Sequence, residues 1–186
     1  MTAGGGASTP GGRIGFTRDG RDRVLTAAQW LPVDPETLWR FVGDCRHMNH
    51  VLPRFVRFHA LTPDARPVAA GATYDYRLRL RGVPVFWRTL ITALDHPRSF
   101  VDVQARGPYA FFEHTHTFDP VNGGTAMGDV IRYRPPGGPL AGLVNRVVRR
   151  ELRLLFATRH RRLRELYDAH AAGGADPATL LQTPPR

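Results

Sequence analysis

Two histidines stand two positions apart in a segment with the composition of a β-strand, residues 111–118. Alternate side chains of a strand share a face, so His114 and His116 would point the same way as Phe112 and Phe118. Exposing both phenylalanine rings would forfeit their burial, so we expect this face to point into the protein. The sequence therefore places two imidazoles in the interior.

A carboxylate on the next predicted strand, that of Asp129, is expected to face inward by the same argument. Its face consists of Met127, Asp129, Ile131 and Tyr133. A carboxylate near a histidine raises the pKa of the imidazole and orients its ring, as a general base requires. His114, His116 and Asp129 are therefore candidates for catalysis. The simpler alternative is a hydrogen-bonded polar network that fixes strand register, so no catalytic residue is assigned firmly.

Two groups of residues have the types that bind transition metals. Cys45, His47 and His50 lie on one short segment, but their spacing matches no standard zinc pattern and lacks a second cluster. The histidine pair with Asp129 would form a two-histidine, one-carboxylate set, since alternate strand positions suit such ligands. We assign neither group as a metal site and expect no cofactor.

A second carboxylate, Asp102, lies on a strand whose orientation the sequence leaves open. Asp102 and Gln104 share a face with Phe100, while the opposite face is the more apolar one, with Val101, Val103 and Ala105. If Asp102 points inward, it adds a second carboxylate to the interior. If it points outward, it belongs to a solvated face.

Composition excludes several kinds of chemistry. The chain has 186 residues, and all 26 basic residues are arginine against 16 acidic ones, for a net charge of +10. Without lysine there is no Schiff base and no P-loop lysine. Serine occurs only as Ser8 and Ser99, neither in a Gly-x-Ser-x-Gly context, which argues against a serine hydrolase. The single Cys45 rules out an internal disulfide.

The elements that must position these residues follow from hydrophobic spacing and turn signals. Asp34 and Pro35 are typical of a helix start, Gly43 of its end, and a second short helical piece is predicted over residues 45–51. Alternation and turns such as Asn122-Gly123 predict an antiparallel meander. The predicted strands cover residues 24–31, 56–61, 74–81, 85–94, 100–105, 111–118 and 125–134.

The spacing changes after the proline- and glycine-rich residues 135–139. Apolar residues then recur at helical intervals over residues 139–170, with an arginine-rich opposite face. One long helix cannot fill the concave side of a strongly twisted sheet, so we expect an internal cavity between the two. The predicted fold is α+β: six or seven antiparallel strands wrapped around a long C-terminal helix.

The ends of the chain contain little periodic hydrophobicity. We expect residues 1–21 and 171–186 to be disordered tails that flank one domain at residues 22–170. The first residues lack the features of a secretory signal, and no apolar run is long enough to span a membrane. A cytoplasmic location is therefore expected.

Three stretches resemble those of a known superfamily. They are residues 30–39 (WLPVDPETLW), residues 107–120 with the segment EHTHTFDP, and residues 129–135 (DVIRYRP). Together they resemble the START-like, helix-grip superfamily, in its SRPBCC branch of polyketide cyclase/dehydrase-like proteins, over residues 22–169. The resemblance implies a cavity that binds small apolar or amphipathic molecules. Some members catalyse cyclisation or dehydration, but no shared catalytic motif can be carried over.

We therefore expect the partner to be a small hydrophobic or amphipathic molecule, lipid-like or polyketide-like, with cyclase or dehydratase activity as an open possibility. The alternative is nucleic-acid or anionic-membrane binding through the arginine-rich helix. The sequence leaves the oligomeric state undetermined. The ligand-binding candidates are the side chains expected to line the cavity: Tyr76, Leu78, Trp87, Phe112, His114, His116, Phe118, Met127, Asp129, Ile131, Tyr133 and Phe156.

Overall fold

A single antiparallel sheet of eight strands curves around one long helix. The structure, a computed structural model, describes residues 12–62, 67–136 and 141–180. The strands are β1 Arg13–Asp19, β2 Asp22–Leu31, β3 Val56–Ala60, β4 Thr73–Leu80, β5 Val83–Asp95, β6 Ser99–Arg106, β7 Phe111–Val121 and β8 Gly124–Arg134. The helices are α1 Pro35–Val42, α2 Met48–Val51, α3 Ala141–Ala171 and α4 Pro177–Leu180, and a 3₁₀ turn at Cys45–His47 precedes α2.

The order of strands across the sheet is β1-β2-β8-β7-β6-β5-β4-β3. Strands β3 to β8 form the predicted meander, and β2 joins its far end by pairing with β8. The predicted α+β helix-grip fold is confirmed, with eight strands rather than six or seven. Within the described residues no helix is both long and apolar enough to cross a membrane.

Helix α1 forms where its local sequence predicts. The Asp34 side chain accepts a hydrogen bond from the Thr37 backbone N–H at 2.9 Å, Pro35 occupies the first turn, and Gly43 caps the other end. Its apolar face packs on the sheet through Leu38 and Trp39. This helix closes one end of the space between sheet and α3.

The predicted N-terminal tail, residues 1–21, is wrong for Arg13–Asp19, which form β1 and pair along β2. The missed signal is the alternation of Ile14 and Phe16, both packed against the core, followed by an Asp-Gly turn whose Gly20 has φ +55°. The rest of the prediction, residues 1–11, lies outside the described residues.

The predicted C-terminal tail, residues 171–186, is wrong for Pro177–Leu180, which form α4. Asp176, just before this helix, pairs with Arg40 of α1 at 3.0 Å. Pro177 is buried, so the segment is anchored by packing as well as by charge. Residues 181–186 lie outside the described part of the chain.

His160 of α3 gives a testable pH dependence of stability. Its buried ring packs against Gly12, just before β1, and its backbone carbonyl accepts from the Gln29 side chain of β2. Burial, with the nearby Arg159 charge, lowers the pKa of His160 from 6.5 to about 4, although the Asp129 charge acts in the opposite direction. Between pH 6.5 and pH 4 the unfolded chain binds a proton here that the folded protein does not. We therefore expect the free energy of unfolding to fall by up to about 3 kcal/mol as pH is lowered through this range, because of His160 alone.

Urea unfolding between pH 4 and pH 7 tests this expectation. The His160→Gln variant should lose less stability than the wild type as pH falls across this range. Parallel pH profiles of the two proteins would contradict it.

Candidate ligand cavity

A cavity of about 430 Å³ lies between the sheet and α3, neither sealed nor reduced to a surface groove. The strands β3 to β8 supply one wall, α3 the opposite wall, and the corner between α1 and α2 one end. Its volume is in the range that holds one small organic molecule. The space predicted from the long helix and the curved sheet is therefore present.

Most of the side chains predicted to line the cavity do so. They are Tyr76, Leu78, Trp87, Phe112, His114, His116, Ile131 and Phe156. The inward orientation expected for β7 and β8 is confirmed, because the two strands bury Phe112, Phe118, Met127 and Ile131.

Four predicted residues do not line the cavity. Phe118 and Met127 are packed into the core beside Trp39, which fills the space that a ligand would need. Tyr133 is buried with its hydroxyl 3.3 Å from Asn145 Oδ1, and Asp129 lies behind the two histidines. An inward face thus includes both cavity lining and solid core.

Several lining residues were not predicted. They come mainly from the α1–α2 corner, from the middle of β5 and from the loop before β7: Phe41, Cys45, His47, Val51, Leu52, Thr89, Ile91 and Tyr109. The apolar face of α1 was a usable signal for Phe41. The loop residues carry no such periodicity, and only the closing of the sheet brings them to the cavity.

Two stacked imidazoles form the polar part of the wall. The rings of His114 and His116 have centroids 3.7 Å apart and are tilted by 36°. Phe100 stacks on the other face of His116 at 4.1 Å, and Phe156 meets His114 edge-on at 6.0 Å. These aromatic neighbours hold both rings in place.

Each imidazole lies between two carboxylates and is hydrogen-bonded to one of them. Toward the cavity, His116 Nε2 donates to Asp102 Oδ2 at 3.2 Å, and His114 Nδ1 lies 3.8 Å from the same oxygen. On the other side, His114 Nε2 donates to Asp129 Oδ1 at 2.9 Å, and His116 Nδ1 lies 3.1 Å from that oxygen without making a hydrogen bond. Asp102 lines the cavity, so the face of β6 that the sequence left open points inward.

Gln104, on the same face as Asp102, has a structural partner instead. Its side chain accepts from the Tyr109 N–H at 3.1 Å and donates to the Tyr109 carbonyl at 2.8 Å. This pair of bonds fixes the loop between β6 and β7, and with it the position of the Tyr109 ring at the cavity.

Asp129 is kept ionised by an arginine that the sequence analysis did not single out. Arg159 of α3 donates to Asp129 Oδ1 at 2.8 Å, and both side chains are buried. Position 159 lies three residues after Phe156 and four before Leu163, so helical spacing alone places it on the cavity face. That spacing was the signal for a buried arginine.

Burial and charge move the pKa values of this cluster in different directions. Burial and the neighbouring His116 lower the pKa of His114 despite its bond to Asp129. Burial acts to lower the pKa of His116 too, but the Asp102 and Asp129 carboxylates outweigh it and raise that pKa. Burial acts to raise the pKa of Asp129, yet Arg159 and the two imidazoles hold it well below its usual range.

The segment of Cys45, His47 and His50 does not assemble into a metal centre. His47 stacks on Phe41 and its Nδ1 lies 3.0 Å from the Phe41 carbonyl. Burial raises the pKa of Cys45 to about 11, so its thiol is protonated near neutral pH. Among the described residues, the group with mutually close metal-ligand atoms is Asp102, His114 and His116.

The geometry offers a largely apolar chamber with hydrogen-bond donors and acceptors at one place on its wall. Such a site can bury the body of a small molecule and orient one oxygen-bearing group. Two imidazoles in contact with carboxylates can also accept and return a proton.

Solved structures with the same fold come from several bacteria. A protein of Mycobacterium smegmatis is 18% identical, with a TM-score of 0.62 over 85% of this chain and 99% of that one. Proteins of Thermus thermophilus (19%, TM-score 0.62, 81% and 99% covered) and Rhodobacter sphaeroides (15%, TM-score 0.63, 86% and 99% covered) are similar to the same extent. At these identities the likeness concerns the fold alone. No curated protein matches the chain significantly in sequence.

A sequence profile gives the more specific result. The family described as "Polyketide cyclase / dehydrase and lipid transport" matches residues 31–161, which begin at the last residue of β2 and include α1, the whole meander and most of α3. This family match supports the binding of hydrophobic small molecules in general. The cavity, the fold and this match agree, and the chain belongs to the polyketide cyclase / dehydrase and lipid transport family.

Proposed function

We propose that the protein binds one amphipathic molecule in the cavity, with its apolar body against the sheet and α3 and one oxygen-bearing group at Asp102, His114 and His116. The observation that carries this proposal is the cavity of about 430 Å³, apolar except for a few polar groups. Burial of about 200 Å² of apolar ligand surface would contribute roughly 5 kcal/mol before the costs of binding are subtracted.

The polar wall favours a neutral oxygen group over an anion. The Asp102 carboxylate accepts hydrogen bonds and would repel a second carboxylate. Arg159 also lines the cavity, but its NH1 donates to the buried Asp129. A hydroxyl, which can donate to Asp102 and accept from an imidazole, fits this set of partners best.

Titration with the apolar dye Nile red, using tag-free protein, tests cavity binding. We expect saturable binding of one dye per chain, and displacement by 2-naphthol about fivefold more effective than by naphthalene. The difference reflects one net hydrogen bond of about 1 kcal/mol. The preference should vanish in Asp102→Leu and persist in Asp119→Leu, whose side chain is exposed on β7.

Failure of the dye to saturate, or a stoichiometry far above one, would contradict cavity binding. Native mass spectrometry of freshly purified protein complements the titration. A co-purifying mass would name the class of ligand, lipid-like or aromatic.

Acid–base chemistry is the second candidate, as in cyclisation or dehydration of a polyketide-like substrate. It is favoured by the pair of imidazoles on the cavity wall, each hydrogen-bonded to a carboxylate. The elementary step is proton removal beside a carbonyl, so hydrogen–deuterium exchange at C1 of 2-tetralone, followed by NMR, is a suitable probe. We expect saturable exchange that His116→Gln abolishes while Nile red binding remains; exchange unchanged in that variant would exclude the role.

Binding of nucleic acid or an anionic membrane through α3 remains the alternative function. The observation that favours it is the set of exposed arginines on that helix: Arg146, Arg149, Arg150, Arg153 and Arg161. Two of these, Arg149 and Arg153, lie over the Phe16 ring at 4.8 and 5.3 Å, and Arg161 lies 3.8 Å from Glu165. Such contacts are those of an ordinary helix surface, so we favour the cavity.

Salt dependence separates the two functions. Binding of labelled duplex DNA or of phosphatidylglycerol vesicles through arginines should weaken steeply with added salt, whereas Nile red binding should barely change. Tight, salt-sensitive binding to either partner would support the alternative.

A further inference from the structure

We propose that Asp102, His114 and His116 form a site for a divalent transition-metal ion on the cavity wall, with Asp129 as the outer carboxylate that orients both imidazoles. The site does not depend on the organic ligand of the proposed function. It differs from the set considered in the sequence, because Asp102 and not Asp129 faces the cavity.

The three candidate ligands are already close together. One donor atom from each residue lies within 4.8 Å of the others. Asp102 Oδ2 is 3.2 Å from His116 Nε2 and 3.8 Å from His114 Nδ1. Metal bonds of about 2.1 Å at angles near 90–110° require ligand separations of about 3.0–3.4 Å. Closing the largest separation, at most 4.8 Å, to this range takes a shift of roughly 1.5 Å, which the two imidazoles can share.

The far side of the histidine pair has the arrangement that metal-binding histidines need. A ligating histidine usually donates its other ring N–H to a carboxylate, which fixes the tautomer and the ring. Here the other nitrogens, His114 Nε2 and His116 Nδ1, lie 2.9 and 3.1 Å from a single oxygen of Asp129. Arg159 holds that oxygen from α3 at 2.8 Å. Asp129 thus already holds His114 from behind by a hydrogen bond, and His116 Nδ1 lies close enough to donate to the same carboxylate when that imidazole binds a metal through Nε2.

Charge and access also suit a dication. With neutral imidazoles the cluster has two carboxylates and one guanidinium, a net charge of −1, and Arg159 contacts the outer carboxylate Asp129. Two imidazoles and one carboxylate favour zinc, iron or cobalt over magnesium or calcium, and leave coordination positions open. Those positions face the cavity, where the oxygen of a bound molecule can reach them.

Tag-free protein treated with EDTA and then dialysed provides the test, with Co²⁺ and Zn²⁺ as probes. We expect one Co²⁺ per chain, visible as d–d absorption, and its displacement by Zn²⁺ with micromolar or tighter affinity against a chromophoric chelator. Asp102→Asn and His116→Gln should each weaken Zn²⁺ binding at least tenfold. If Asp129 orients the imidazoles, the double variant Asp129→Asn/Arg159→Met should lose 10- to 100-fold in Zn²⁺ affinity and show an altered Co²⁺ spectrum.

Cys45→Ala is the matched control, because Cys45 lines the same cavity outside the cluster. It should bind both ions like the wild type. The proposal is overturned if no saturable binding occurs, or if Cys45→Ala loses the ions while Asp102→Asn retains them. Nile red titration of the same samples keeps this test separate, since dye binding without metal binding would overturn the metal site alone.

Discussion

Replacing Arg159 with methionine is expected to destabilise the protein by about 3–5 kcal/mol, the usual cost of leaving one partner of a buried ion pair alone. Asp129 is fully enclosed and accepts from Arg159 at 2.8 Å, and burial without that guanidinium opposes its ionisation. The remaining bond from His114 replaces only part of the lost interaction. Urea unfolding monitored by circular dichroism measures the loss.

A double-mutant cycle identifies the cause. Asp129→Asn should cost far less stability in the Arg159→Met background than in the wild type, because the charge to be compensated has gone. Arg81→Met is the control. Arg81, in the turn between β4 and β5, pairs with Glu151 of α3 at 3.1 Å, but this pair is largely exposed and its loss should cost about 1 kcal/mol or less. Equal costs for Arg159→Met and Arg81→Met, or strict additivity in the cycle, would contradict a buried pair.

Val148→Trp is expected to abolish most ligand binding without unfolding the protein. Val148 projects from α3 into the cavity, so an indole there occupies space that a ligand needs. We expect Nile red affinity to fall at least tenfold, or about 1.4 kcal/mol. Stability should be unchanged or higher, because filling a cavity adds packing contacts.

The neighbouring residue supplies the control for this variant. Val147 is 56% exposed on the outer surface of the same helix, so Val147→Trp adds the same indole outside the cavity. Its dye affinity should match the wild type. If both variants bind the dye equally well, the dye does not enter the cavity and the proposed binding site is wrong.

Local patterns predicted much of the fold and part of the site. The α1 cap at Asp34, the turn at Asn122-Gly123 and the alternation in β7 each depend on neighbours within a few residues, and each is present in the structure. The inward position of His114 and His116 followed from the cost of exposing Phe112 and Phe118. The missed strand β1 had a weaker pattern, since most of its side chains are exposed or half-buried and its pairing along β2 is a long-range feature.

The tertiary structure alone decided how the polar residues meet. On β6 the face of Asp102 is mixed and the opposite face is apolar, so the pattern of this strand alone does not place Asp102 inside. Its pairing with His114 of β7 puts Asp102 on the cavity face. Arg159 belongs to an arginine-rich helix, and its partner Asp129 is 30 residues away in the sequence. Phe118 and Met127 are core rather than lining because Trp39 of α1 packs against that end of the sheet. Periodicity reports which side of an element is buried, whereas the packing of distant elements determines what that side touches.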